Sequence, residues 1–239
     1  MMIKWKDNIS RAGNAAVYAA MGLMLVMTGI LTVKGTAKYV LNSHVEEKRL
    51  CVVIDAGHGG DDPGKVGING ALEKDINLQI AQKVKKYLEM EGVEVVMTRT
   101  DGQGLYDSGA ENKKVQDMKR RIAMIEETAP AITVSIHQNS YPEEYVKGAQ
   151  VFYYKDSAES KNAAETMQKS LKDRLDRENK REAKANASYY LLKKTSSPVI
   201  IVECGFLSNS EEAGKLADDT YQEKVAWAVF MGIMQTLNE

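Results

Sequence analysis

The chain has 239 residues, enough for one large domain plus an appendage at roughly 150 residues per domain, and too few for a second full enzyme domain. With 44% hydrophobic and 27% charged residues it has the balance of a soluble globular protein, which excludes bulk disorder. The formal net charge of -1 conceals an asymmetry: seven basic and three acidic residues precede position 50, and 25 basic and 30 acidic residues follow it. The mildly acidic body gives no footprint for nucleic acid, whose binding needs a basic face. The two cysteines, Cys51 and Cys204, build no disulfide framework, and neither has a CxxC partner.

The basic excess sits at the N-terminus, where Lys4, Lys6 and Arg11 precede an uncharged stretch from Ala12 to Val33. As a helix at 1.5 Å per residue this stretch would rise about 33 Å, enough for a hydrocarbon layer of about 30 Å. It is longer than a signal-peptide core and has only Gly35-Thr36-Ala37 as a small-residue exit, so an uncleaved anchor is favoured over a signal peptide. A buried core helix fits less well, because the run is apolar all round and follows cations. The positive-inside bias puts the body outside the cytoplasmic membrane. Residues 34–49, which include His44, are polar and read as a tether. Residues 1–49 therefore form a membrane-targeting segment and tether, and residues 50–239 a single catalytic domain.

The body begins with the apolar run Leu50 to Ile54, ended by Asp55 and a glycine cluster, which reads as a buried parallel strand. From Glu73, apolar residues at Ile76, Ile80, Val84 and Leu88 fall four apart on a helix that Gly92 stops before a strand from Val93 to Thr98. A second helix carries Met118, Ile122 and Ile125 and ends at Ala129-Pro130. A third strand runs from Ala131 to Ile136 and leads into His137-Gln138-Asn139. Gly148 to Tyr154 reads as a fourth strand, Ser157 to Glu178 as a charged helix, Pro198 to Val202 as another buried strand, and Tyr221 to Leu237 as the closing helix. This alternation predicts an α/β fold: a mostly parallel twisted sheet with helices on both faces.

Ligands of open α/β sheets collect at the carboxyl ends of the strands. His58, His137 and Glu203 stand at three such ends, and Glu73 returns to the same edge at the start of the first helix. Two imidazoles and two carboxylates are the inventory of a catalytic zinc site: three ligands, an open position, and a carboxylate to take a proton. Competing readings are weaker. Asp55 to Gly60 matches two glycines of a dinucleotide loop but has Asp62 at the third position. A lone histidine such as His137 is more often a satisfied core residue than a ligand. Glu203, after Val199 to Val202, is harder to dismiss, because a carboxylate at the buried end of a strand is costly unless paired or metal-linked. Cys204 alternates to the other side and reads as a packed thiol, with a Cys/His nucleophile as the alternative. Arg99 and Asn139, near strand ends, are candidates for orienting ligands or substrate.

Four blocks in order, Val53 to Gly60, Glu73 to Leu78, Ser135-Ile136-His137 and Val202 to Asn209, give residues 50 to about 237 a resemblance to the zinc-dependent N-acetylmuramoyl-L-alanine amidases of peptidoglycan. The resemblance implies that His58, Glu73 and His137 hold Zn2+ and that Glu203 is the catalytic carboxylate. Further blocks, Gly148 to Tyr153, Arg181 to Lys184, Tyr190 to Lys193 and Tyr221 to Ala226, resemble the germination-specific, spore-cortex branch. That implies removal of stem peptides from cortex peptidoglycan as the first step toward muramic δ-lactam, in the spore or forespore envelope. Dependence on an envelope accessory protein is a separate expectation, since no wall-targeting domain is read in the sequence. The short stretch from His137 to Gly148 leaves no room for the helix that occludes the site in some division amidases of the family. Gln138 departs from the small residue that many relatives carry after the histidine. The rival expectations are a zinc peptidase acting on stem-peptide bonds and a non-catalytic wall-binding or regulatory module.

Overall fold

Strand β1 (Cys51–Ala56) is flanked on both sides by parallel neighbours, β2 (Glu94–Met97) and β3 (Ile132–Asn139). Val52, Val53, Ile54 and Ala56 are wholly buried, which is why the run is continuously apolar: a central parallel strand shows neither face to water. The computed structural model describes residues 21–28 and 50–239. The chain divides into two units, Met1–Lys48 and Arg49–Glu239. In the first, residues 21–28 are helical and Thr28 Oγ1 donates to the Met24 and Leu25 carbonyls. The rest of the expected span from Ala12 to Val33, and the tether at 34–49 with His44, lie outside the described residues. Among the described residues no helix is long and apolar enough to cross a membrane.

In the second unit, helices α1 (Glu73–Met90) and α2 (Lys113–Thr128) connect β1 to β2 and β2 to β3. Then come β4 (Gln150–Tyr154), α3 (Ala158–Leu175), β5 (Lys184–Asn186), α4 (Tyr190–Lys194), β6 (Val199–Phe206), α5 (Ser210–Leu216) and α6 (Asp219–Leu237). The six strands form one sheet in the order β2-β1-β3-β6-β4-β5. Helices cover both faces, as expected. On one face Val52, Ile54, Val134, Ile136, Ile200 and Val202 pack with Ile76, Ile80, Val84 and Leu88 of α1, Met167 and Leu171 of α3, and Val225, Val229 and Ile233 of α6. On the other, Val53, Val199 and Ile201 pack with Ile125 of α2 and Leu191 and Leu192 of α4. Each fully buried aliphatic side chain of this kind stabilises the fold by roughly 1.5–3 kcal/mol.

Three features go beyond the sequence pattern. Strand β4 is antiparallel to β6, whereas β1, β2, β3 and β6 are mutually parallel. A parallel connection needs a crossover of about a dozen residues or more, usually a helix. The segment between β3 and β4 contains no helix, so the chain re-enters the sheet from the edge it has just left. Strand β5 and the short helices α4 and α5 have too few periodic residues to stand out. Strands β3 and β6 also run past their apolar stretches to Asn139 and Phe206, because backbone pairing continues where the side chains turn polar: His137 lies in register with Glu203.

The order β2-β1-β3 makes the gap between β1 and β3 the place where successive connections leave in opposite directions. Crevices for ligands open beyond the strand ends at such switch points. His58 follows β1, and His137 lies near the end of β3.

Candidate active site

Glu73 opens α1, and its position is set by the loop before it. Leu72 supplies no side-chain cap; instead the amides of Glu73 and Lys74 donate to the Lys65 and Pro63 carbonyls. The Glu73 carboxylate is buried. Its Oε2 accepts from the Lys65 amide at 2.7 Å, and its Oε1 accepts from the Gln138 amide at 3.1 Å. A carboxylate in the first helical turn is further favoured by the helix dipole.

Two imidazoles meet this carboxylate. His58 Nε2 is 3.2 Å and His137 Nδ1 2.9 Å from Glu73 Oε1, and the rings stand nearly perpendicular with centroids 5.0 Å apart. One ligand atom from each of His58, Glu73 and His137 lies within 4.8 Å of the others, so these three side chains could hold a metal ion. The opposite nitrogen of His58, Nδ1, is 2.9 Å from Asp62 Oδ2, an arrangement that leaves Nε2 for the site. Burial opposes ionisation of Glu73, but its hydrogen bonds to His137 and His58 outweigh burial and hold its carboxyl well below the usual range. The same interaction raises His137 against the opposing effect of burial.

Close packing requires glycine at two positions. A Cβ on Gly57 would lie 2.3 Å from both Cε1 and Nε2 of His137. Gly64 has φ +68°, and its Cβ would lie 2.5 Å from Glu73 Oε2 and 2.8 Å from His58 Cδ2.

Glu203 stands beside His137 on the same face of the sheet, as their cross-strand register requires. It is buried, and its Oε2 has no hydrogen-bond partner. Burial, reinforced by the Glu73 charge and opposed chiefly by His137, pushes its carboxyl up to about 7. His58, Glu73, His137 and Glu203 all line one cavity of about 800 Å³. Its walls include Tyr106, Lys113, Tyr189 and Tyr190. No helix bridges the segment between β3 and β4 to cover this cavity.

Of the other residues singled out, Cys204 is buried on the opposite side of β6, as its alternation with Glu203 predicts. Burial pushes its thiol far up, which does not suit a nucleophile. Gln138, which is buried and lines the cavity, donates through Nε2 to Asn77 Oδ1, while Asn77 Nδ2 donates to the Gly57 carbonyl. Asn139 lines the same cavity, where its Oδ1 accepts from the Ser140 amide and its carbonyl from the Leu207 amide. Arg99 does reach the β1 turn, donating to the Ala56 and Gly57 carbonyls. Four residues were missed by sequence reasoning: Asp62, Asn77, and Asp55 with Arg121, a buried pair at 2.6 Å. Arg121 carried a usable signal, because it falls three residues after Met118 on the apolar face of α2.

A mostly parallel α/β domain with two imidazoles and two carboxylates gathered in a strand-end cavity has the form of a hydrolase with a metal-capable centre. The family model for N-acetylmuramoyl-L-alanine amidases matches residues 52–235, and the chain belongs to that family. The germination-specific N-acetylmuramoyl-L-alanine amidase of Bacillus subtilis is 36% identical over 191 residues, covering 79% of this chain and 80% of its own. Among solved structures, the CwlD amidase of Clostridioides difficile, in complex with the GerS lipoprotein, superposes with a TM-score of 0.76 at 40% identity. The match covers 79% of this chain and 98% of that one. The catalytic domain of CwlV, the amidase from Bacillus (Paenibacillus) polymyxa var. colistinus, gives 0.70 at 32% identity, covering 79% and 98%.

Proposed function

We propose that the enzyme hydrolyses the amide between the lactyl group of N-acetylmuramic acid and L-alanine of the stem peptide, with zinc held by His58, Glu73 and His137 and with Glu203 as the catalytic carboxylate. The donor set fits zinc: two imidazoles and one carboxylate, with ligand atoms within 4.8 Å of one another and a cavity on the open side. A metal centre of this kind polarises the scissile carbonyl and acidifies the attacking water. The protein's own groups do the rest. Asp62 fixes the His58 ring through Nδ1, and the Lys65 and Gln138 amides fix the Glu73 carboxylate. Glu203 takes the proton from water and returns it to the leaving amine of L-alanine, as one base does for both steps of amide hydrolysis.

The observation that carries this reading is the unpartnered Glu203 Oε2 in the same cavity as the three clustered donors. A buried carboxylate oxygen without a partner is costly, and substrate or water at this site would supply one. The cluster also disfavours a non-catalytic wall-binding module, which has no use for such a group.

The likeness to a germination-specific amidase and to an amidase complexed with a lipoprotein supports finer assignments. The substrate is spore-cortex peptidoglycan, the product is an intermediate toward muramic δ-lactam, and the enzyme works in the spore or forespore envelope beside an accessory protein. Residues 1–49 would serve to bring residues 50–239 to that membrane face. Mass spectrometry of muropeptides released by the zinc-loaded protein tests the bond assignment. Peptides with a free L-alanine amino group are expected; peptides cut within the stem would instead identify a zinc peptidase.

A further inference from the structure

His58 has φ 62°, a left-handed conformation that costs a non-glycine residue roughly 1 kcal/mol or more. Gly59 and Gly60 follow, also at positive φ, so the turn that presents His58 to the cavity is three residues of unusual backbone. Its amides are satisfied by neighbouring strands and loops: those of Gly57, Gly59 and Gly60 donate to the carbonyls of Ile136, Asp62 and Gly102. Two arginines take the carbonyls of Ala56, Gly57 and His58, and Gly57 O also accepts from Asn77 Nδ2. Arg121 donates through NH1 to Ala56 O at 2.7 Å and through NH2 to His58 O at 2.6 Å. Arg99 donates through Nε to Ala56 O at 2.9 Å and through NH2 to Gly57 O at 3.1 Å.

Both guanidinium groups are buried, Arg121 at 1% and Arg99 at 4% exposure. They come from separate elements, Arg121 from the inner face of α2 and Arg99 from just beyond β2. Arg121 is neutralised by Asp55 and by Asp117, each at 2.6 Å. Arg99 also donates to Lys74 O at 2.6 Å, which ties the His58 turn to the residue next to Glu73. Burying a guanidinium is expensive, and a well-packed apolar side chain would usually serve stability as well or better. The fork of an arginine offers several donors in one rigid plane, which suits a set of carbonyls at fixed angles; a lysine offers a single nitrogen. Here two such forks converge on three consecutive carbonyls of the turn that carries one candidate ligand.

We propose that Arg121 and Arg99 are positioning residues for the metal centre: they hold the Ala56, Gly57 and His58 carbonyls and thereby keep His58 in the left-handed conformation that aims its imidazole at Glu73 and His137. The proposal rests on the zinc reading above. Arg121 is the principal clamp, because it grips His58 itself, and Arg99 links that turn to the start of α1.

The test is zinc affinity, measured on the full chain in mild detergent by competition with a chromophoric chelator. Far-UV circular dichroism and zinc-free melting curves identify the folded variants. Arg121→Lys keeps the charge and loses the fork. Asp55→Asn combined with Arg121→Met removes the clamp together with the fully buried Asp55 carboxylate, while Asp117, 14% exposed, keeps its hydrogen bond from the Leu105 amide. Arg99→Lys changes a side chain whose partners are all carbonyls. Each folded variant is expected to bind zinc about 10- to 100-fold more weakly, the usual effect of disturbing groups that orient metal ligands. Arg120→Ala, on the same helix but paired at the surface with Asp107, is expected to match the unsubstituted protein. Wild-type affinity in folded variants overturns the proposal, and so does failure of all three to fold, which would make the arginines purely structural. If the unsubstituted protein and His58→Ala bind zinc equally weakly, the zinc reading itself fails instead.

Discussion

Replacing Gly57 with alanine perturbs the site by a single methyl group, and the structure says where that methyl goes. The backbone at Gly57 lies outside the left-handed region, so alanine meets no conformational penalty there. Its Cβ would nevertheless lie 2.3 Å from Cε1 and Nε2 of His137, where ordinary contact begins at 3.4 Å. The ring must therefore move by about 1 Å. On its other side Nδ1 is already 2.9 Å from Glu73 Oε1, so a straight retreat is blocked and the ring must tilt out of line with the other donors. Overpacking of this kind costs about 1–3 kcal/mol, and each kcal/mol lowers Tm by roughly 2–4 °C in a domain of this size. A misplacement of about 1 Å lowers turnover by roughly 100-fold. The assay is release of free L-alanine amino groups from peptidoglycan at saturating zinc, with zinc affinity measured in parallel. Gly70→Ala is the control: Gly70 has φ +81° with nothing within 4 Å of its Cβ, so it should lose about 1 kcal/mol to backbone strain and keep its kcat. If Gly57→Ala retains wild-type turnover and zinc affinity, the steric reasoning is wrong.

Glu203→Gln should leave zinc binding intact while lowering kcat by about 10²- to 10⁴-fold, the usual contribution of a general base; wild-type kcat would remove Glu203 from the proton transfer. His137→Ala should lose both zinc and activity, read by metal analysis of the dialysed protein. Asp62→Ala, which frees His58 Nδ1, should weaken zinc binding by about 10- to 100-fold with little change in the melting point of the zinc-free protein, and an unchanged zinc titration would contradict that role. Acid should expose the Asp55–Arg121 pair. Burial opposes ionisation of Asp55, but Arg121, Ser135 and Thr98 outweigh it and hold the carboxyl at about 2. Because the folded value lies below the ordinary 3.8, the pair's contribution is complete above about pH 4 and is lost as pH falls toward 2, amounting to about 2 kcal/mol. Urea unfolding between pH 6 and pH 2 should show this loss in the wild type and not in Asp55→Asn/Arg121→Met; parallel profiles would refute it.

The residues legible from sequence and those that were not differ in a physical way. The helices carrying Ile76 to Leu88 and Val225 to Ile233 could be read because burial of one face imposes a period. Strand β1 could be read because burial of both faces abolishes alternation. His58, His137 and Glu203 drew notice because polar side chains interrupt apolar strands at the edge where crevices open. The direction of β4 was illegible because it depends on the absence of a crossover between β3 and β4, a property of the connection rather than of the strand. The shell around the site was hidden for a related reason. Asp62 is four residues from His58, yet only the turn at Gly59 and Gly60 brings it back to Nδ1. Arg99 and Arg121 act on carbonyls of the β1 turn 42 to 65 positions away, and a carbonyl leaves no mark in the residue it belongs to. Side-chain chemistry that faces the cavity can thus be inferred from residue type and place. The groups that fix its geometry bind backbone or, like Asp62, a ring nitrogen brought to them by a turn, and they become visible only once the chain is folded. An arginine on the apolar face of a helix, as at position 121, is the one trace such a group leaves in sequence, because its burial must be repaid by partners elsewhere.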